Sequence, residues 1–258
     1  MADEVLASRD GAVLTITLNR PDVFNAFNGA LHAALHGVLT GEAAEPSVRA
    51  VVVTGAGKGF CAGQDVREFQ GAVGDIRQHL EQTYHPNIRA IRALEKPVIA
   101  AINGPVAGAG LSLACACDVR VASDAAAFVP GFVGIGLVPD SGGTWFVHRL
   151  LGFARAFEWM CSNRRLTAQE ALDWGLVSEV VAAERFEERA RELAGWWAEL
   201  PTKAVGWTKR LFEHAHDASL GQQLELEATL QQQATATADF AEGVAAFLEK
   251  RPPAFTGS

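Results

Sequence analysis

Asn103-Gly104-Pro105-Val106-Ala107-Gly108-Ala109-Gly110-Leu111-Ser112-Leu113-Ala114-Cys115-Ala116-Cys117-Asp118 is the stretch from which the rest of the chain can be read. The apolar run from Pro97 to Ile102 precedes it and reads as a buried strand, and the small-residue segment it leads into reads as a buried helix. Between the two lies a turn almost bare of side chains. Gly108 and Gly110 flank Ala109, so a ligand can approach the main chain where a helix begins and its first N–H groups lack intrahelical partners. Such a place suits an oxygen that must carry negative charge. The same composition also suits a glycine- and alanine-rich helix packed closely on a neighbour, and this stretch alone does not choose between the two.

Working outward, Val13 to Leu18 alternates and reads as a strand with one wet face. Asn28 is placed to cap an amphipathic helix from Gly29 to about Thr40. Arg49 to Thr54 is a valine-rich strand buried on both faces. It runs into a second glycine-rich loop, Gly55 to Asp65, which lacks the Gly-Lys-Ser/Thr ending of a nucleotide P-loop. Asp65 ends that loop as a helix cap. Val73 to Leu94 has helical period, Pro97 to Asn103 is the third strand, Val119 to Ala122 a short one, and Phe128 to Val138 is apolar and glycine-spaced. Pro139-Asp140-Ser141-Gly142-Gly143-Thr144-Trp145 opens another helix. Thr167 to Leu176 carries a capping box, Thr167 with Glu170, and a glycine stop at 175, before a last strand from Val177 to Val181. Four helices follow: Phe186 to Leu200, Lys203 to Asp217, Leu220 to Ala238 and Phe240 to Lys250. The expected architecture is an α/β body, residues 1–195, and a helical region, residues 196–258, that packs on the body or on a second subunit.

At 258 residues the chain can bury a substantial core, and 49% hydrophobic with 20% charged residues is a soluble globular profile. A net charge of -8 without a basic stripe argues against a nucleic-acid partner. No apolar run reaches membrane-span length and Met1-Ala2-Asp3-Glu4 is acidic where a secretory signal is basic, so a cytoplasmic protein is expected. Cys61, Cys115, Cys117 and Cys161 make no zinc pattern and read as reduced packing residues, and the seven histidines show no metal-ligand spacing.

Three segments together, Phe60-Cys61-Ala62-Gly63-Gln64-Asp65, Asn103 to Gly110, and Gly134 to Thr144, resemble the crotonase, or enoyl-CoA hydratase/isomerase, superfamily in order and spacing. The likeness covers most of the chain, from Val13 to about Phe255. It implies a spiral of ββα units, a C-terminal helical region that builds trimers or dimers of trimers, and acyl-CoA thioester substrates. Coenzyme A then belongs to the substrate, and no separate cofactor is implied. The shared chemistry of that family is an enolate held by two main-chain N–H groups, which by position are those of Gln64 and Ala109. Such a donor is typically worth about 3 kcal/mol to a developing oxyanion. The resemblance further implies that Ala26, Ala62, Gly63, Asp65, Val66, Gly108, Gly110, Phe132 and Pro139 line the substrate. Phe247 and Lys250 of the last helix would reach a coenzyme A on a neighbouring subunit.

Hydratases of the family resemble one another in two glutamates that hold and activate a water, and Ser112 and Phe132 stand at those positions here. Neither takes a proton at neutral pH, which sets this chain apart from the hydratase pattern. Asp140 is the acid that remains. An Asp before a helix start is a common cap, held ionised there, whereas an apolar setting beside Leu137 and Val138 would raise its pKa toward acid/base use. The Pro-Asp-Ser-Gly-Gly-Thr-Trp form, with Ala62-Gly63-Gln64-Asp65 and Glu249-Lys250-Arg251-Pro252-Pro253, looks most like the phenylacetate-pathway isomerases, which act on ring-epoxides and shift enoyl-CoA double bonds. The expectation is an isomerase in which Asp140 is both base and acid, with enoyl-CoA hydratase as the alternative. Aryl-CoA dehalogenases of the superfamily use an Asp at the position of Asp140 as nucleophile and a His at that of His85. They carry a Trp where Phe132 stands, and their Asp is not followed by Ser-Gly-Gly. A non-catalytic binder would have no use for Asp140.

Overall fold

In the computed structural model, which describes residues 3–69 and 74–258 without the side chains of Val66 and Phe69, the chain opens with a hairpin. β1 (Val5–Asp10) turns at Gly11, whose φ of 55° suits glycine, into β2 (Val13–Leu18), and the two strands pair antiparallel. Leu14, Ile16 and Leu18 on one face of β2 are fully buried, each contributing about 1.5–3 kcal/mol by leaving water. The remaining strands of this sheet are β3 (Ala50–Gly55), β4 (Val98–Ile102), β6 (Val119–Ser123) and β9 (Glu179–Val181). All pair parallel, in the order β1-β2-β3-β4-β6-β9. A second sheet joins three short strands, β5 (Val106–Ala107), β7 (Ala127–Val129) and β8 (Leu166–Thr167), in the order β5-β7-β8.

Helices connect the strands. They are α1 (Gly29–Thr40), α2 (Ile76–Gln82), α3 (Tyr84–Ala93), α4 (Ala109–Ala116), α5 (Gly143–Leu151), α6 (Phe153–Ser162), α7 (Ala168–Asp173), α8 (Phe186–Glu199), α9 (Thr202–His214), α10 (Leu220–Ala234) and α11 (Ala238–Glu249). The α/β spiral of ββα units with a helical C-terminal region is therefore the fold. Asn28 caps α1 by accepting the Leu31 N–H at 2.7 Å, and the Thr167–Glu170 capping box is present. No helix among the described residues is long and apolar enough to cross a membrane.

One face of the larger sheet, carrying Leu14, Ile16, Val51, Val53, Val98 and Ile102, packs in the main core with Leu31 and Leu35 of α1, Ile91 of α3 and the whole of α4. The opposite face, with Ala50, Val52, Ile99, Ala101 and Val121, is covered by Phe186, Ala190, Ala194 and Ala198 of α8. The expected boundary at 195 lies within α8, whose Ala194 and Ala198 both lie against the sheet.

Two expectations change. The single helix over 73–94 is two: Val73 lies outside the described residues, α2 ends at Gln82, and α3 restarts at Tyr84. Pro86 has no N–H for an uninterrupted helix, and the restart places it in a first turn where none is needed. Residues 235–237, expected within a helix, form the link in which Thr237 caps α11 by accepting the Phe240 N–H at 3.1 Å.

Candidate active site

Two loops meet at the candidate site. The Phe60 N–H donates to Pro105 O at 3.0 Å and the Ala107 N–H to Cys61 O at 2.9 Å, so residues 60–64 run alongside 105–109. Glycine is what lets them close. A Cβ on Gly110 would stand 2.4 Å from Cys61 O, and one on Gly63, where φ is 87°, would stand 3.0 Å from Ala107 O and 3.3 Å from Ala109 N. Gly63 thus rests directly against the first residue of α4. Among the described residues neither the Gln64 N–H nor the Ala109 N–H has a hydrogen-bond partner. Gly108 precedes Ala109 with φ of 54°, and its N–H donates to Val129 O at 3.2 Å. The loop after β7 closes on the same place, since a Cβ on Gly131 would lie 3.2 Å from Gly108 N. The buried side chain of Phe132 follows in that loop.

Asp140 reaches this seam through α4. Ser112 is one turn on from Ala109 on the same helix face, and its hydroxyl donates to the Asp140 main-chain carbonyl at 3.0 Å. Gly143, the first residue of α5, fits over that hydroxyl, for a Cβ there would be 2.6 Å from Ser112 Oγ. Between them the chain passes through two left-handed residues, Ser141 at φ 53° and Gly142 at φ 78°. Gly142, not Asp140, occupies the cap position of α5, and no side chain caps that helix. The capping role weighed for Asp140 is thereby removed. Its carboxylate accepts instead from Ser141 Oγ at 2.9 Å. Burial raises the Asp140 pKa above the ordinary carboxylate value, and the Ser141 hydrogen bond and the charges of His85 and His79 pull it back. Leu137 and Val138 before it are themselves exposed, Val138 by 79%.

The other expected residues are distributed as follows. Ala26 is buried beside Asn25, whose side chain donates to Ala56 O at 3.0 Å and Gly59 O at 2.8 Å and so braces the 55–60 loop. Ala62 is exposed and Pro139 half-buried. Asp65 is buried, and Arg20 and Arg67 hold its carboxylate at 3.0 and 2.9 Å. The Arg67 hydrogen bond is the first cause that keeps it far below the ordinary carboxylate range. It also accepts the Arg67 N–H at 3.2 Å at the start of a short turn, which is the expected cap. Val66 lies in that turn, its side chain outside the description. Phe247, 82% exposed, and Lys250 stand at the end of α11, on the C-terminal helices rather than at this seam. Cys61, Cys115 and Cys117 are buried free thiols, and burial pushes Cys61 up to about 12, away from nucleophilic use.

Sequence reasoning passed over Tyr84, Ser141 and His79. The Tyr84 hydroxyl donates to Gln64 Oε1. The only signal for it was its rarity, since it is the single tyrosine in the chain. Ser141 was in view as part of a motif, without the carboxylate contact that gives it a task.

The chain is similar to known proteins over its whole length. The family model described as enoyl-CoA hydratase/isomerase matches residues 8–258. The 1,2-epoxyphenylacetyl-CoA isomerase of Escherichia coli (strain K12) is 40% identical, with all of both chains covered. The 4-chlorobenzoyl coenzyme A dehalogenase-1 of an Arthrobacter species is 35% identical over 92% of this chain and 88% of its own. Among solved structures, an enoyl-CoA hydratase from Bacillus anthracis superposes with a TM-score of 0.94 at 35% identity, covering 99% of this chain and 100% of that one.

Proposed function

The chain belongs to the enoyl-CoA hydratase/isomerase family, and from that premise we propose that it is an acyl-CoA isomerase acting through a thioester enolate. The observation that carries the proposal is the carboxyl of Asp140, partly buried, released from helix capping and hung from the same face of α4 that begins at Ala109. The main-chain N–H groups of Gln64 and Ala109 hold the thioester oxygen. The Asp140 carboxylate takes a proton from the α-carbon, and the C–H electron pair moves into the enolate whose negative oxygen the two donors stabilise. The same carboxyl, now protonated, returns that proton to another carbon of the conjugated system, so the double bond moves and nothing is added or lost. A base whose pKa lies closer to the working pH serves both halves of such a transfer better than an ordinary carboxylate. Coenzyme A is part of the substrate in this reading, and no other cofactor takes part.

Hydration is disfavoured by Ser112 and Phe132. The Ser112 hydroxyl is committed to the Asp140 turn, and neither of these two buried side chains is an acid that could activate water. The isomerase relative acts on an aromatic ring-epoxide by its name, and we place this chain's acyl group in the same class.

The test uses 3-enoyl-CoA and ring-epoxide CoA esters with purified protein. Asp140→Asn is expected to lower turnover by about two to four orders of magnitude, the usual contribution of a positioned proton-transfer group, while CoA-ester affinity stays within a few-fold. Normal isomerase turnover by that variant overturns the assignment. Hydration of a 2-enoyl-CoA at a rate comparable to isomerisation, or halide release from a 4-halobenzoyl-CoA, would replace it with the hydratase or the dehalogenase.

A further inference from the structure

Gln64 contributes its main chain in the reading above, yet its side chain is tied down at both ends. Nε2 donates to Glu68 Oε2 at 3.0 Å. A carboxylate only accepts, so this bond fixes which way round the amide lies and leaves Oε1 as an acceptor. The hydroxyl of Tyr84 takes that acceptor. Tyr84 is the first residue of α3 and 5% exposed, and its ring is held edge-on by three others: Phe27 at 5.5 Å, His32 at 4.1 Å and His79 at 5.9 Å. Phe27 and His32 are themselves stacked at 4.6 Å. Burial first, and then the charge of Asp140, pushes the Tyr84 hydroxyl above the ordinary tyrosine range, so it stays a neutral donor.

Phe27 also grips the main chain on either side of Gln64. Its N–H donates to Gly63 O at 2.7 Å and its carbonyl accepts the Asp65 N–H at 2.9 Å. Those two bonds set where residue 64 sits. They leave its own N–H unpaired, behind a glycine whose backbone is the least restrained of any residue. Because a peptide unit is planar, the bond from Phe27 to the Gly63 carbonyl turns the Gln64 N–H to the opposite side, and the side chain, anchored through Tyr84 to the same aromatic group that holds Phe27, is a third restraint on that position.

We propose that Tyr84 is a positioning residue for the reaction, its hydroxyl holding the Gln64 side chain so that the Gln64 main-chain N–H stays aimed at the thioester oxygen. This rests on the proposed role of that N–H. Oxyanion donors act by being fixed beforehand, and small misplacements cost large factors in rate.

The experiment reads the carbonyl directly. Hexanoyl-CoA labelled with carbon-13 at the thioester carbon is bound to the wild-type protein and to Tyr84→Phe, and the carbonyl stretch is followed by difference infrared spectroscopy, with turnover measured in parallel on a 3-enoyl-CoA. The wild-type band is expected below that of free ester, and Tyr84→Phe is expected to return it at least half way. Turnover should fall by about tenfold to a hundredfold, less than the loss of a whole donor, with KM within about threefold. Gln64→Leu keeps the main-chain N–H and removes the other end of the tether, so it should match. The double variant should be no worse than either single one, as for two residues acting through one contact. A full wild-type shift in Tyr84→Phe, or single losses that multiply, overturns the role of Tyr84 alone. A wild-type band already at the position of free ester removes the role of the Gln64 N–H, and this proposal with it.

Discussion

Ser141 sets how far Asp140 departs from an ordinary carboxylate. Its hydroxyl stabilises the ionised form, against burial, which stabilises the neutral one. Removing the hydroxyl leaves burial less opposed, so the pKa rises. The proton-abstracting form is the carboxylate, so Ser141→Ala is expected to move the acidic limb of the kcat/KM profile to higher pH, with little change on the alkaline side. A limb that stays in place or moves down would show that the contact does not tune the carboxyl. Asp140 itself was legible in the sequence because an acid stood alone where two glutamates were absent. Its freedom from capping was not, because that depends on two successive left-handed residues that carry the chain past the cap position before α5 starts. Tyr84 was harder still: one tyrosine makes no pattern, and its partner is 20 residues away in the chain.

Elements with enough length were read well and those without were not. β2, β3 and β4 each present five or six residues of apolar pattern, whereas β5 and β8 are two residues long and leave no period to detect. β1 escaped because Val5 is its only buried residue, the edge of a sheet having one covered end and an exposed remainder. How the helical region docks was equally hidden. α9 lies so close to the body that a Cβ on Gly206 would be 2.2 Å from Glu95 O, while Lys209 reaches Ile91 O at 2.8 Å and Asp118 at 3.0 Å. Gly206→Ala is therefore expected to cost about 1–3 kcal/mol, because backbone cannot move aside as a flexible side chain can. Gly37→Ala, in α1 with nothing within 4 Å of the new carbon, is expected to gain about 0.5–1 kcal/mol. Denaturant unfolding of the two variants should move in opposite directions. Equal stability for Gly206→Ala would mean that α9 does not bear on Glu95 in solution.

At the scale of the whole molecule, apolar surface is left over. Phe153 and Phe157 of α6 are stacked at 5.7 Å with 70% and 61% exposure, and Leu220, Phe247 and Leu248 on the C-terminal helices are exposed by 74–82%. Large exposed side chains gathered in this way mark surfaces that meet another protein, and most homo-oligomers close by symmetry. We propose three or six copies of the 27.5 kDa chain, and sedimentation equilibrium at micromolar concentration is the measurement. A single copy there would remove the idea that Phe247 and Lys250 serve a neighbour's substrate. The helical character of this region was plain from its periodicity. Which faces stay bare was not, because an apolar stripe looks the same whether it turns toward its own body or toward a partner.

The contact between Gly63 and the start of α4 has a practical consequence. Reagents that map reactive centres by labelling lysines, cysteines or hydroxyls would pass over a pair of peptide donors set in glycine, and a survey of side-chain truncations has only a methyl group to remove at Ala109. Exchanging one amide for an ester by semisynthesis at residue 109 puts an oxygen where the N–H stood and leaves every side chain as it was, and it is there that an otherwise silent stretch of backbone would declare itself.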